Sequence, residues 1–165
     1  MPRSYLPKLD MVTTETSIEA YIPHRGAMRL IDRLVSISPD HVVVEAEVRA
    51  DQLFVLGGEL PAWVGIELMA QAIAAWAGGC ALERGEPVNL GFLLGTRRYV
   101  ADCAGFAVGS VLRIEARSEL VADNGLGMFD CRICANGEEL ARAHVSVFAP
   151  EDGMAYLKES EGNRV

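Results

Sequence analysis

Basic residues are scarce in this 165-residue chain, which has 15 Lys and Arg against 23 Asp and Glu and a net charge of −8. Binding along a nucleic-acid backbone requires clustered Lys and Arg side chains. The deficit therefore argues against a general nucleic-acid-binding protein. It also means that any positively charged docking surface must be local.

Cysteine is also infrequent, with Cys80, Cys103, Cys131 and Cys134 as the four examples. Half of the chain is apolar, so a core can form without disulfide bonds. Cys131-Arg-Ile-Cys134 has the spacing of a redox or zinc motif, but no second Cys or His pair accompanies it. In a strand, positions three apart face opposite sides. We predict neither a metal site nor a redox site there.

Signal and membrane segments are not evident. Residues 1–8 contain no apolar run of signal-peptide length. The stretch from Leu60 to Leu82 is long enough to cross a bilayer of ~30 Å. It is, however, rich in Ala, with three Gly, and it would place Glu67 in lipid without an evident partner. We predict a cytoplasmic protein with no membrane span.

That same stretch predicts a buried helix from about Pro61 to Glu83. Between Ala62 and Ala77 only Glu67 and Gln71 are polar, and a helix that is apolar around its circumference must be buried. Pro suits the first helical turn. The pair at 78–79, Gly-Gly, either ends the helix or lets it continue for one more turn.

Glu67 and Gln71 stand four residues apart and therefore share one helix face. A carboxyl group in an apolar setting is costly unless it is paired, protonated or hydrogen-bonded. Three interpretations of Glu67 follow: a structural carboxyl bonded to a loop, a charge within a membrane span, or a catalytic acid or base.

The remaining sequence favours antiparallel strands. After a short helical turn at 17–21, strands are predicted at 28–38, 41–48, 90–100, 110–121, 126–135 and 139–148, with residues 51–60 irregular. The order of elements predicts an α+β fold in which a curved antiparallel sheet wraps the apolar helix. Such a small sheet has exposed edges, so we expect a dimer. We predict one domain with a core at 18–150, an arm at 1–16 and a tail at 151–165.

Two motifs give this chain a family resemblance. Ile22-Pro-His-Arg25 precedes Leu30-Ile-Asp-Arg33, and the segment from Pro61 to Gln71 contains Ile-Glu-Leu-Met-Ala-Gln. Over about 18–150 the chain resembles the hot-dog fold, FabA/FabZ-type 3-hydroxyacyl-acyl-carrier-protein dehydratases. The Pro-His-x-x-x-Met opening, the Trp at the helix start and Leu93-Leu-Gly95 are similar to the ApeP-like branch of aryl polyene and xanthomonadin-type clusters.

One position departs from the family pattern. In FabZ-type enzymes the catalytic histidine lies in a loop ahead of the helix, at a fixed distance from the helix glutamate. Aligned without gaps, that loop corresponds to residues 52–56, and Leu53 stands where the histidine belongs. The usual general base is therefore absent, and His24 is the histidine best placed to replace it.

The resemblance implies removal of water from a (3R)-3-hydroxyacyl thioester to give a trans-2-enoyl thioester. The substrate would be carried on the phosphopantetheine of an acyl carrier protein, with no separate cofactor. We expect Glu67 to act as acid and His24 as base, the latter across the dimer or the substrate tunnel from Glu67. Free N–H groups at the helix start, at Ala62 and Trp63, would bind the thioester oxygen.

Further side chains have predicted roles. The substrate-binding candidates are Ala62, Trp63, Gln71 and Phe54, where Gln71 orients Glu67 or binds water. Trp63 and Trp76 are expected mainly in the core, with the acyl chain as a second possible contact for Trp63. Arg97 and Arg98 form either a solvated strand end or a docking patch for the carrier protein. His41 is expected to be solvated, and His144 to be structural.

Two other functions fit the same residues. Because Leu53 replaces a histidine, the chain could be a catalytically impaired subunit that pairs with a complete dehydratase. Alternatively, Glu67 could activate water in a hot-dog acyl thioesterase. The expected dimer is therefore either a homodimer or a heterodimer with a related dehydratase subunit.

Overall fold

The computed structural model describes residues 16–150 and 153–162, with residues 153–157 as backbone only. The strands are β1 Arg33–Ser38, β2 His41–Glu47, β3 Glu59–Pro61, β4 Phe92–Ala101, β5 Gly105–Ala107, β6 Val111–Val121, β7 Leu126–Ala135 and β8 Glu138–Phe148. The two α-helices are α1 Gly65–Glu83 and α2 Gly153–Gly162, and short 3₁₀ turns form at Ile18–Ala20, Gly26–Met28 and Ala62–Val64.

Six strands form one antiparallel sheet in the order β1-β2-β6-β7-β8-β4, and β3 pairs with β5 in a separate two-stranded sheet. Helix α1 contacts all six strands of the large sheet. The inward-facing side chains of the strands and the apolar side chains of α1 form one core. The predicted α+β arrangement, an antiparallel sheet around a central helix, is confirmed.

The apolar side chains of α1 are largely buried. Leu68, Met69, Ala72 and Ala75 are each at most 1% exposed. In the described part of the chain, residues 62–83 form the one helix long and apolar enough to cross a membrane, and 67% of its most apolar window is buried within the fold. The helix is therefore buried to the extent that is typical of a core helix.

The start of this helix differs from the prediction. Pro61 is the last residue of β3 rather than part of the first helical turn, and it precedes the 3₁₀ turn at Ala62–Val64. The strand continues to Pro61 because its backbone pairs with Gly105 of β5. Sequence periodicity does not reveal this short pairing, since β3 and β5 have only three residues each.

The glycines at 78 and 79 do not end α1, which continues to Glu83. They allow close packing: a Cβ at Gly78 would lie 2.7 Å from the carbonyl carbon of Tyr21 and overlap its oxygen. Gly85 ends the helix instead, with a φ of +69° that suits a residue without Cβ.

Three further predictions need correction. Strand β1 begins at Arg33 rather than at residue 28, because the preceding residues form a 3₁₀ turn and then bind the side chain of Gln71. Helix α2 was not predicted from the polar tail. Trp63 is not in the core, since it is 60% exposed. Residues 1–15 of the predicted arm lie outside the described residues.

Candidate active site

The segment that carries His24 is a short strap that crosses α1, here defined as residues 17–28. Ser17 caps the first 3₁₀ turn by accepting a hydrogen bond from the Glu19 N–H (3.3 Å). The Arg25 guanidinium donates to the carbonyl oxygens of Glu19 (2.8 Å), Ile22 (2.6 Å) and His24 (2.8 Å). The arginine of the Pro-His-Arg motif therefore fixes the backbone conformation of the strap.

Gln71 joins the strap to the helix, and its side chain is fully buried. Its Nε2 donates to the Met28 carbonyl oxygen (2.8 Å) and to Glu67 Oε1 (3.1 Å). Its Oε1 accepts from the backbone N–H groups of Leu30 (2.8 Å) and Ile31 (3.4 Å). The bond to Glu67 is the contact that the predicted orienting role of Gln71 requires, and Gln71 also anchors the chain that follows His24.

His24 and Glu67 lie next to each other. His24 Nε2 is 3.8 Å from Glu67 Oε1, and the two side chains are 27% and 38% exposed. Both side chains belong to one chain and line the same groove, so a second subunit is not needed to bring His24 to Glu67, and the alternative in which the two share a substrate tunnel stays a prediction. The strap, which passes directly over α1, makes this possible.

Burial lowers the pKa of His24 below its usual value of 6.5, and the nearby Arg25 charge lowers it further, while the Glu67 carboxyl acts in the opposite direction. Burial has the largest effect. Among the described residues, His24 Nδ1 is buried without a hydrogen-bond partner. The neutral imidazole is therefore favoured, and a neutral imidazole is the form that accepts a proton.

A groove of about 710 Å³ extends along α1 from this pair. His24 and Glu67 line one part of it. Small helix side chains and strand residues line the rest, including Ala70, Ala74, Ala77, Phe92, Leu93 and Val147. Arg84 and Glu86 also line the groove, so it combines the His24–Glu67 pair and this second ion pair with a wall of small and apolar side chains, as is common in sites for partly apolar ligands.

The other predicted substrate contacts lie apart from the groove. Phe54 and Trp63 contact each other edge to face, with ring centroids 5.3 Å apart, and both are exposed. The Ala62 N–H is not free, because it donates to the Ala104 carbonyl oxygen (3.0 Å). Of the two N–H groups predicted to bind the thioester oxygen, that of Ala62 is therefore already engaged. Leu53 is 45% exposed and does not line the groove.

Tyr99 is a site-supporting residue that the sequence did not reveal. Its hydroxyl donates to the Ala62 carbonyl oxygen, and burial raises its pKa to about 12. The pairing of β4 with β8 is interrupted between Arg97 and Val100, and Arg98 has a positive φ of 55°. Such a bulge re-aims the following side chain. An isolated tyrosine in a strand gives no pattern from which this contact could be predicted.

Arg97 and Arg98 are exposed on β4, which is an edge strand of the sheet. Within the described residues neither guanidinium forms an ion pair. His41 lies 3.5 Å from Glu115, and His144 Nδ1 lies 3.2 Å from Glu119, on the outer face of the sheet. Neither of these histidines lines the groove.

The four cysteines are free thiols. Cys131 is buried in the core, whereas Cys134 is half-buried on the opposite face of β7. This matches the expectation that the two thiols face opposite sides of a strand. Across the described residues, no three His, Cys, Asp or Glu side chains are grouped closely enough to hold a metal ion.

The buried amide of Gln71 gives a stability prediction. Gln71→Met keeps the length of the side chain but leaves the Met28 carbonyl and the Leu30 N–H without partners. An unsatisfied buried polar group costs ~1–3 kcal/mol, so we expect a loss of about 2–4 kcal/mol in the free energy of unfolding. Urea unfolding measures this change. The matched control is Gln52→Met, whose amide bonds the more exposed Arg49 N–H and Glu47 carbonyl and should cost under ~1 kcal/mol. Equal losses in the two variants would contradict the anchoring role.

The comparisons with known proteins agree with the sequence motifs. A family model described as ApeP-like, ApeP dehydratase, matches residues 16–158. The dehydratase heterocomplex ApeI:P from Xenorhabdus doucetiae is similar in structure, with a TM-score of 0.79 and 31% identity, over 87% of this chain and 97% of that one. The predicted family and the hot-dog fold are thereby confirmed.

Two further comparisons cover less or are more distant. The chain is 38% identical over 73 residues to the 3-hydroxyacyl-[acyl-carrier-protein] dehydratase FabZ of Pseudothermotoga lettingae. That match covers 43% of this chain and 51% of the relative, so the chain spans about half the length of this curated relative. The smu.793 protein of Streptococcus mutans, bound to acetyl CoA, has a TM-score of 0.57 and 19% identity over 73% of this chain and 89% of that one, which shows the fold alone.

Proposed function

The chain belongs to the ApeP-like family of hot-dog dehydratases, and from that membership we propose that it dehydrates 3-hydroxyacyl thioesters to trans-2-enoyl thioesters. The observation that carries the proposal is the His24–Glu67 pair, 3.8 Å apart in the groove along α1. The substrate is carried on the phosphopantetheine of an acyl carrier protein, and the pathway is a cytoplasmic one of fatty-acid or polyene type.

In this proposal the two side chains divide the proton transfers. His24 Nε2 takes the proton from the carbon next to the thioester carbonyl, and the electron pair of that bond forms the new double bond. Glu67, as the carboxylic acid, gives its proton to the hydroxyl group on the next carbon, which leaves as water. The two reacting carbons are bonded to each other, so a base and an acid a few ångströms apart can serve both.

The same short distance supports the return of the enzyme to its starting state. After the reaction His24 holds an extra proton and Glu67 lacks one, at 3.8 Å from each other. Burial favours the neutral imidazole. Return of the proton from His24 to Glu67 then restores the base and the acid together. Gln71, bonded to Glu67 Oε1 at 3.1 Å, holds the carboxyl in place throughout.

Two arginines are proposed to receive the carrier protein. Arg97 and Arg98 are exposed neighbours on β4, and the described residues offer them no carboxylate partner. Exposed guanidinium groups suit an acidic partner that approaches by electrostatic attraction. The net charge of the chain, −8, makes this patch a local exception.

A second candidate function is that of a subunit that assists a complete dehydratase. The specific observation in its favour is the likeness to a chain of the dehydratase heterocomplex ApeI:P. β4 is an edge strand with exposed Leu93, Leu94 and Val100. An exposed apolar edge is a surface for pairing with a second chain. In this arrangement the partner supplies the loop histidine that Leu53 replaces.

One experiment separates these functions. The purified chain is incubated with 3-hydroxyacyl and with acyl carrier-protein thioesters, alone and together with a related complete dehydratase subunit, and the products are followed by mass. Loss of water by the chain alone supports the dehydratase. No turnover alone, followed by a gain in rate over the partner alone, supports the assisting subunit. Release of free acid identifies a thioesterase and overturns both.

The pKa of His24 gives a pH prediction. Only the neutral imidazole accepts a proton, and burial lowers the pKa below 6.5. Activity is therefore lost as the pH falls through this lowered pKa, and the midpoint of the loss should lie below pH 6.5. The measurement is kcat/KM between pH 4.5 and 8, which reports the groups of the free enzyme. An acid limb with its midpoint above pH 6.5 would contradict His24 as the base.

A further inference from the structure

Arg25 directly follows His24 in the strap, and 55% of its side chain is exposed. Because guanidinium groups bind phosphate and carboxylate well, an exposed arginine beside a groove is a candidate contact for an anionic ligand. The nitrogens of Arg25 are, however, already engaged. Nη1 donates to the carbonyl oxygens of Ile22 and His24, and Nη2 donates to that of Glu19, at distances of 2.6 to 2.8 Å. Nε lies 4.0 Å from the Glu19 carboxylate. Arg25 therefore has a task within the strap itself.

The carbonyl bonds of Arg25 hold the part of the strap that carries the imidazole. Backbone hydrogen bonds close the 3₁₀ turns before and after it, at Ile18–Ala20 and Gly26–Met28. Between these turns the guanidinium bonds the carbonyl oxygens of Ile22 and His24. A planar guanidinium bonds several acceptors in a fixed geometry, whereas an ammonium group is a point charge. The side chain of Arg25 therefore fixes where the His24 backbone lies above α1.

The charge of Arg25 acts on the same imidazole. Two charged groups shift the pKa of His24 in addition to burial: Arg25 on the strap lowers it, and Glu67 on α1 raises it. The other ion pair that lines the groove, Arg84–Glu86, is closed within itself at 3.1 Å. The strand side chains that line the groove carry no charge, namely Phe92, Leu93 and Val147. Arg25 is therefore the cation that favours the neutral ring.

We propose that Arg25 is a positioning residue for the base: its guanidinium holds the His24 backbone so that Nε2 faces Glu67, and its charge keeps the imidazole neutral. The proposal rests on the proposed function, because it takes His24 as the base. It assigns Arg25 no contact with the carrier protein, since the donors of the guanidinium are used within the strap. A positioning role and a docking role predict different changes in the kinetic constants.

The variant Arg25→Met and its matched control Arg33→Met distinguish these roles in steady-state kinetics. Arg33 is exposed to the same degree, 56% against 55%, and pairs with Glu45 on the sheet. For Arg25→Met we expect kcat for 3-hydroxyacyl carrier protein to fall ~10–10²-fold, since a small misplacement of a reacting group has an effect of this size. KM should change much less than kcat. Arg33→Met removes the same charge and should leave both constants unchanged.

The pH profile separates positioning from a merely structural role. Burial and the Arg25 charge both lower the pKa of His24, so loss of the guanidinium and any loosening of the strap both raise it. The acid limb of kcat/KM in Arg25→Met should therefore lie at higher pH than in the wild type. An acid limb that does not move would overturn the proposal. A raised KM with an unchanged kcat would also overturn it, because that result indicates a docking contact.

Arg25→Lys separates the geometry of the guanidinium from its charge. Lysine keeps the positive charge but cannot bond three carbonyl oxygens in the same fixed geometry. We therefore expect kcat of Arg25→Lys to remain ~10-fold or more below that of the wild type. A fully active Arg25→Lys variant would show that the charge alone suffices, and it would overturn the positioning role.

A titration by NMR needs no turnover, so it decides the matter even if the proposed dehydratase activity is absent. The ring signals of isotope-labelled histidine are followed against pH, and the signal of His24 is identified by its loss in His24→Ala. The pKa of His24 should be higher in Arg25→Met than in the wild type, and unchanged in Arg33→Met. If the wild type does not dehydrate, this result still supports the hold of Arg25 on His24 while the proposed function fails. An equal pKa in Arg25→Met and the wild type would overturn the proposal whatever the activity.

Discussion

Glu67→Gln is expected to lower kcat for 3-hydroxyacyl carrier protein by ~10²–10⁴, the usual effect of removing a catalytic acid or base. In the wild type, Gln71 Nε2 donates a hydrogen bond to Glu67 Oε1 at 3.1 Å. The substitution keeps the shape of the side chain and an oxygen that can accept this bond. In the proposed mechanism it removes the proton that the leaving hydroxyl requires. Steady-state kinetics with a single 3-hydroxyacyl substrate measures the loss, and KM should change much less than kcat.

His24→Ala is expected to cause a loss of the same order, because it removes the proposed base of the same pair. The matched control is His144→Ala, whose ring bonds Glu119 on the outer face of the sheet. This control should retain full activity. If His24→Ala were as active as the control while Glu67→Gln were inactive, the base would have to come from elsewhere, and the partner subunit of the assisting function would be the first place to look.

Gly78→Ala is expected to destabilise the fold by about 2 kcal/mol or more, although alanine favours helix by up to ~1 kcal/mol over glycine. The loss of stability follows from the contact between position 78 and the backbone of Tyr21. The new Cβ would overlap the Tyr21 carbonyl oxygen, which is backbone and cannot turn away as a side chain can. The strap must then lift from α1. We therefore also expect a fall in kcat, since the strap carries His24.

The control for this variant is Gly95→Ala in β4, where a Cβ meets nothing within 4 Å. Chemical unfolding of the two variants gives the comparison, and Gly95→Ala should be neutral to within ~1 kcal/mol. A Gly78→Ala variant that is as stable as the wild type would show that the strap does not rest on the helix as described.

The sequence predicted the large elements because their signals are long. Nineteen residues of α1 with few polar side chains, and strands of ten or eleven residues with period two, outweigh local irregularities. The short strands β3 and β5 escaped prediction because three residues carry no period. The sequence predicts Trp63 in the core because this residue belongs to a segment that is apolar throughout. The turn that begins the helix at Ala62–Val64 presents this side chain to solvent instead.

The site was predictable in its residue types but not in its arrangement. Glu67 and Gln71 were recognised as polar exceptions in an apolar helix. Their closeness to His24 depends on where the strap crosses α1. That crossing is determined by Gly78 and by the amide of Gln71, whose contacts join residues far apart in sequence, while the carbonyl bonds of Arg25 fix the strap locally. Tyr99 acts through a bulge that only the register between β4 and β8 reveals.

Because His24 and Glu67 come from the same chain, defects in them should not complement each other between subunits. When two chains share one site, a mixture of differently mutated subunits forms some assemblies with one intact site. Here each assembly of His24→Ala and Glu67→Gln subunits would contain only sites that lack one member of the pair. If the chain dehydrates its substrate with this pair alone, as proposed, co-expression of the two variants should therefore restore no activity, and each working site would derive from a single copy of the gene.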